Sequence, residues 1–323
     1  MKKDLQILNH KKILITGCFG FIGRTLAEFL LKEVPEIELF GIDLKNYPTD
    51  KTAKFLKDLH YTNLDIRQEA AVKKYFTKQS FNGIIHLAAV SRVVDAENDK
   101  QNCIATNYLG TKSILENIKD KNTWIIFASS REIYGESKQL PISENADKLP
   151  INIYGFYKLK GEELVKNYIQ KYIILRFSNV YGNRYDIPNR VIPNFVQNAI
   201  KGKPIVLEGG EQVIDFTFID DTINSIIKCM EKLESGKIIR EEFHILPGKG
   251  NKLTDIIDIL KEYNFKFSVQ RRQKRNYDVE KFIGNPEKRI SILGNQKFLN
   301  LREGLSKLIA ELSYDNLTSS VHQ

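Results

Sequence analysis

Residues 13–23, ILITGCFGFIG, join a buried-strand pattern to a glycine triplet. The strand pattern runs from Lys11 to Thr16 (KKILIT). Gly17, Gly20 and Gly23 follow at once, and Ile22, Leu26, Phe29 and Leu30 then recur at helical spacing. A strand that turns on glycine straight into a helix has a specific use. Gly17 permits the tight turn, Gly20 lets backbone approach a pyrophosphate, and Gly23 allows close packing of helix on strand. The helix N-terminus then presents free N–H groups and the positive end of its dipole to phosphates.

Working outward, similar strand patterns occur at residues 37–42 (IELFGI), 83–88 (GIIHLA), 124–129 (WIIFAS) and 172–177 (YIILRF). They are nearly continuous apolar runs, as parallel strands covered on both faces should be. Helical patterns alternate with them, one marked by Gly161, Leu164, Val165 and Tyr168. This alternation predicts an α/β fold: a Rossmann-like, doubly wound parallel sheet with right-handed crossovers. After about residue 179 the alternation fades, and Pro188, Pro193, Gly202, Pro204, Gly209 and Gly210 punctuate the chain. Helices are expected at 222–233 and 302–312, with a polar, fraying tail from 313 to 323. The division expected is a dinucleotide-binding domain over 1–178, taking back part of 222–248. A smaller C-terminal α/β substrate-binding cap is expected mainly over 179–323.

The acid at the end of the second strand strengthens the dinucleotide reading. Asp43, in FGIDLKN, lies twenty-six residues past Gly17 and is placed to accept both hydrogen bonds from an adenosine ribose diol. A 2′-phosphate would meet carboxylate repulsion there, so NAD is favoured over NADP, although Lys45 is close by. Asp65, in NLDIRQ, could reach the adenine amino group or simply cap the next helix.

A second pair carries chemistry. YGFYK places Tyr154 and Lys158 four residues apart, on one face of a helix. A phenol near its reference pKa of about 10 is a poor base at neutral pH, and a neighbouring ammonium favours the phenolate. Tyr154 could then take a sugar hydroxyl proton while hydride leaves the carbon, with Lys158 also holding the nicotinamide ribose. Tyr157 is a decoy, having Gly161 rather than lysine four residues on.

Composition bounds the alternatives. The 323 residues are 42% hydrophobic and 28% charged, which excludes a largely disordered or collagen-like chain. A net charge of +9 suits an anionic partner, whether nucleic acid, acidic membrane or phosphorylated small molecule. RRQKR (271–275) has no interleaved aromatic residues, which argues against nucleic acid. Cys18, Cys103 and Cys229 form no metal-ligand spacing or disulfide framework. No metal is expected, and a reduced cytoplasm fits best. Apolar runs are too short to span a bilayer, and no export signal is visible.

Together these segments resemble the extended short-chain dehydrogenase/reductase family, the nucleotide-sugar epimerases and dehydratases. The carrying motifs are TGCFGFIG, IDL, LDI, HLAAVSRV, NYLGT, SSREIYG, YGFYK, LRFSNVYG, FIDDT and RNYDVEKFIGNPEK, in family order from about residue 12 to 294. The resemblance implies that Phe19, Phe21, Ile22, Ile66, Leu87, Ala88 and Ala89 line NAD beside the glycines, Asp43 and Asp65. It implies that Ser130 hydrogen-bonds the sugar hydroxyl next to Tyr154 and that Asn107 stabilises backbone. Ser91, Arg131, Asn179, Arg275 and Asp278 are implied on the substrate side, a planar guanidinium suiting a diphosphate better than an ammonium does. Ile214 departs from the pattern, standing where relatives carry a diphosphate-binding arginine. Its loss either weakens substrate binding or shifts the contact to Arg184, Arg190 or the 271–275 run. A homodimer is the family's habit.

Such enzymes oxidise carbon 4 of the sugar and then diverge. A 4-epimerase returns hydride to the other face, whereas a 4,6-dehydratase uses a carboxylate to remove the carbon-5 proton, and water leaves carbon 6. Glu132, two residues after Ser130, occupies the position of a glutamate in dehydratases and in NDP-glucuronate decarboxylases. The sequence therefore leans to elimination with Glu132 as base. A 4-epimerase comes next, and a decarboxylase after it. Arg131 weighs the other way, since a permanently charged guanidinium cannot protonate a departing hydroxyl, and Glu132 could instead be its salt-bridge partner. A non-catalytic NAD-sensing module is the alternative of another class.

Overall fold

The computed structural model describes residues 4–50, 52–137 and 139–320. Two compact units emerge. The first comprises the chain up to Gly135, Asp147–Arg176 and Ile223–Phe243. The second comprises Glu136–Ala146, Phe177–Thr222 and the chain from His244 on.

A seven-stranded sheet organises the first unit. Its strands are β1 (Lys12–Thr16), β2 (Glu38–Asp43), β3 (His60–Asn63), β4 (Gly83–His86), β5 (Trp124–Ser130), β6 (Lys171–Phe177) and β10 (Arg240–Ile245). They lie in the order β10-β6-β5-β4-β1-β2-β3. From β3 to β5 the pairings are parallel, with Ile13 opposite both Leu39 and Gly83. Sequence order reverses between β1 and β4, and the crevice beyond the carboxyl ends of those strands is where such sheets bind ligands. The central strands are buried along almost their whole length, all seven residues of β5 among them. The two edges are more polar: β3 reads HYTN and β10 opens with Arg240 and Glu241. One core layer joins Leu14, Phe40, Ile84, Ile125, Phe127 and Ile174 to Val72, Phe76, Leu164 and Val165 of the covering helices. Each such aliphatic side chain contributes about 1.5–3 kcal/mol by burial.

The helix Ile153–Tyr168, which carries Tyr154 and Lys158, starts on Asn152, whose Oδ1 accepts the Gly155 N–H at 2.8 Å. In the second unit, β9 (Val213–Phe218) pairs with β7 (Asn179–Tyr181), β11 (Gly250–Lys252) and β13 (Lys281–Phe282). A separate parallel pair joins β8 (Ile205–Glu208) to β12 (Val269–Arg272). The expected helix at 222–233 spans Ile219–Glu234. Where a polar, fraying tail was expected from residue 313, the last helix runs Leu301–Ser320, and residues 321–323 lie outside the described residues. Extending a formed helix fixes one residue per hydrogen bond gained, so polar residues can follow a nucleus that apolar ones built. No helix among the described residues is long and apolar enough to cross a membrane.

Candidate active site

The glycine turn sits at the end of β1, where the sheet order reverses. Gly17 has φ +73°, and a Cβ there would lie 2.8 Å from the Ala88 nitrogen, so only glycine fits without strain. At Gly23 a Cβ would come within 2.2 Å of the Gly17 carbonyl, which is the close packing expected of the third glycine. Gly20 is the N-cap of the helix Phe21–Glu33 and offers no side chain to the first-turn N–H groups. A cradle that any Cβ would fill, opening on a helix N-terminus, fits a dinucleotide pyrophosphate.

Asp43 ends β2 with each carboxylate oxygen held by a backbone N–H: Oδ2 by Phe19 at 2.8 Å and Oδ1 by Lys45 at 2.9 Å. Each oxygen keeps a further lone pair for a ribose hydroxyl. The Lys45 ammonium donates to the Phe19 carbonyl at 3.3 Å. The Phe19 ring packs against Tyr47 and Tyr61, Phe21 is buried, and Ile22 is half-buried. Asp65 differs. Its carboxylate is gripped by Arg67, with Nη2 to Oδ2 at 2.7 Å, and that hydrogen bond holds its pKa below the usual carboxylate range. The following helix begins after Gln68, so Asp65 does not cap it. Ile66 lies in the core layer, while Leu87, Ala88 and Ala89 are half-buried beyond β4.

The catalytic candidates converge in the first unit. Tyr154 and Lys158 are both buried, and the Lys158 ammonium stands 5.8 Å from the Tyr154 ring centre. It donates to the Ala128 carbonyl at 2.8 Å, and burial pushes its pKa down to about 8. Ser130 closes β5, and its Oγ accepts the Glu132 N–H at 3.2 Å. Ser129, its neighbour, donates instead to Glu162, which is itself bound to the fully buried Arg176. Glu132 and Arg131 are buried together as an ion pair, Nη2 to Oε1 at 2.8 Å. The other carboxylate oxygen of Glu132 accepts from Asn152 Nδ2 at 2.7 Å. Ser91 is exposed. Asn107 grips backbone as expected, with Oδ1 on Val90 N–H at 2.8 Å and Nδ2 on its carbonyl at 3.0 Å.

The second unit carries the remaining candidates. Asn179 opens β7 and is half-buried. Arg275 is exposed and pairs with Asp278 at 2.8 Å and Glu208 at 3.4 Å. Ile214 is buried in β9, opposite Asn251 and Phe282. Arg184 is tied to Glu311 at 2.7 Å, and Arg190 to Asp186 at 3.3 Å. Among the described residues no group of three or more His, Cys, Asp or Glu could hold a metal ion, and the three cysteines are buried and free.

Two participants escaped the sequence reading. Asn152 caps the Tyr154 helix while holding Glu132, and an asparagine just before a helical pattern was the available signal. Glu97 accepts the Ile153 N–H at 2.8 Å from fifty-six residues away, a contact with no local signature.

Comparison with known proteins agrees with this fold. Residues 13–242 match the NAD dependent epimerase/dehydratase family. A GDP-6-deoxy-D-talose 4-dehydrogenase of Aggregatibacter actinomycetemcomitans is 28% identical, covering 92% of this chain and 96% of its own. A dTDP-D-glucose 4,6-dehydratase of Dictyostelium discoideum is 29% identical over 73% of this chain and 58% of its own. The crystal structure of UDP-glucuronic acid 4-epimerase from Bacillus cereus, in complex with UDP-glucuronic acid and NAD, superposes with a TM-score of 0.82 at 27% identity. That match covers 94% of this chain and 99% of the other. With residues 13–242 matching the family's model, this chain is an enzyme of the NAD dependent epimerase/dehydratase family, and NAD is its cofactor.

Proposed function

We propose that this enzyme oxidises carbon 4 of a nucleotide-diphosphate hexose and returns the hydride to the opposite face, a 4-epimerisation. NAD, when bound, supplies a hydride acceptor. Tyr154 takes the proton of the sugar hydroxyl, Ser130 holds that hydroxyl, and Lys158 favours the phenolate by its charge. The first unit binds NAD. In the second unit the Arg275 guanidinium and Asn179 suit a diphosphate, with Asp278 beside Arg275 on the substrate side; in the first, Ser91 and Arg131 suit the sugar. The observation that carries this reading is the enclosed Lys158 ammonium beside the Tyr154 ring. Burying a cation is costly and serves packing no better than an apolar chain would.

The state of Glu132 favours epimerisation over elimination. Its two oxygens serve Arg131 and Asn152, and protonating it would leave a guanidinium buried beside a neutral acid. A group so engaged is better suited to holding the wall of the site than to removing a carbon-bound proton. The second reading, 4,6-dehydration, keeps the support of Glu132 standing two residues after Ser130. The relatives named above include both activities and share reaction at carbon 4.

Incubation with a panel of UDP-, dTDP- and GDP-hexoses tests the proposal. A product of unchanged mass and inverted configuration at carbon 4 is expected. Loss of one water would select the second reading, and no turnover on any member would reject both.

A further inference from the structure

Beneath the glycine turn lies a string of buried polar groups that the proposed chemistry does not use. His86, the last residue of β4, is fully enclosed, with Nδ1 2.7 Å from Thr16 Oγ1 and Nε2 2.9 Å from Thr111 Oγ1. Thr111 donates its only hydroxyl proton to the Asn107 carbonyl at 2.9 Å, so towards His86 it can only accept. Nε2 must therefore carry the imidazole proton, which leaves Nδ1 as an acceptor. Thr16 then donates to Nδ1, and its oxygen accepts the Ala88 N–H at 3.1 Å. Every hydroxyl and ring nitrogen is used once in one direction: Ala88 N–H to Thr16, Thr16 to His86, His86 to Thr111, Thr111 to the Asn107 carbonyl. Burial and the Lys158 charge push the His86 pKa down to about 3, so the ring stays neutral under ordinary conditions. At the far end, Asn107 lies in the π-helical segment Ile104–Gly110 and fixes both backbone groups of Val90. At the near end, the Ala88 backbone touches the Gly17 turn so closely that no Cβ fits between them.

We propose that Thr111, His86 and Thr16 are positioning residues, a one-way hydrogen-bond chain that holds the Ala88 segment against the glycine turn and thereby sets NAD affinity. The proposal rests on the reading of Ala88 as part of the cofactor wall. Thr111 is two hydrogen bonds from Thr16, so its influence on the glycine turn would travel through His86.

The test uses the full protein freed of bound nucleotide, with NAD affinity read by calorimetry. Thr111→Val strands the His86 N–H, and the dissociation constant for NAD is expected to rise about tenfold, the scale of one lost buried hydrogen bond. Thr111→Ser restores the hydroxyl and should restore affinity, which a purely space-filling role would not require. Ala88→Val tests the wall itself. If it weakens NAD binding while a folded Thr111→Val variant binds NAD like the parent, the chain is refuted and the wall stands. If Ala88→Val has no effect, the wall reading falls and the proposal with it. Nitrogen-15 spectra of the unmodified protein give a readout independent of any variant. A neutral ring protonated on Nε2 at pH 6 is expected; an Nδ1–H tautomer or an imidazolium would overturn the chain's direction.

Discussion

His86 is sealed between two hydroxyls beneath the glycine turn, whereas Arg275 of the second unit is exposed and shares itself between Asp278 and Glu208. The contrast holds for their surroundings. Around the turn, Asp43, Asn107, Asn152 and Glu132 each have partners fixed by strand ends and helix starts. The ion pairs of Arg275 are of the surface kind, worth about 0–1 kcal/mol, which an arriving anion would displace at little cost. Substitutions at the first region's catalytic and positioning residues should change turnover, cofactor affinity or stability, and substitution of Arg275 in the second should change substrate affinity.

The largest effect is expected at Tyr154. Tyr154→Phe removes the proton acceptor and should lower kcat about a thousandfold while NAD binding is unchanged. Retention of most activity would break the catalytic assignment. For the second unit, Arg275→Ala should raise KM for the nucleotide sugar about tenfold with kcat preserved, the loss of a charge-assisted contact. A fall in kcat instead would erase the distinction between the two regions.

Glu132 sharpens the comparison within the first region. Glu132→Gln keeps an acceptor for Asn152 but leaves the Arg131 guanidinium beside a neutral amide, so it should cost stability while holding kcat of the folded enzyme within about fivefold. A general base at that position would lose about a hundred- to ten-thousandfold. Measuring kcat for this variant thus separates a wall residue from an eliminating base.

The smallest effect concerns stability. The folded value for Lys158, about 8, lies below its ordinary value of 10.5. Between these pH values the unfolded chain binds the proton and the folded one does not, so Lys158's contribution to stability rises with pH across that window. At pH 7 both states carry the charge and its full burial cost remains, about 3 kcal/mol by the proton linkage. Lys158→Met should therefore make the cofactor-free protein more stable at pH 7 by about 1–3 kcal/mol. The advantage should shrink between pH 8 and 10 in denaturant titrations. A destabilised variant at pH 7 would mean that the Ala128 hydrogen bond and the ring contacts outweigh desolvation.

Much of the first region was legible from residue order because steric demands write themselves into local sequence. Gly17 and Gly23 are glycines because neighbouring backbone leaves no room, and β5 is continuously apolar because both faces are covered. The polar sheet edges β3 and β10 were harder to read, since one face or margin meets solvent and the apolar signal thins. The salt bridge between Arg131 and Glu132 was foreseeable as one alternative because the two residues adjoin. The chain through His86 was not, since Thr16, His86 and Thr111 meet only when the sheet order is known. Substrate-side arginines resist such reading for another reason. Long side chains reach several partners, and Arg184 and Arg190, both conceivable replacements at the Ile214 position, are instead engaged by Glu311 and Asp186.

The most direct test follows a label through one turnover. A nucleotide hexose carrying deuterium on carbon 4 should yield a product of the same mass, inverted at that carbon and still labelled there. A product lighter by one water with deuterium on carbon 6 would contradict the account in favour of elimination, and exchange of the label into solvent would contradict a hydride held within the site.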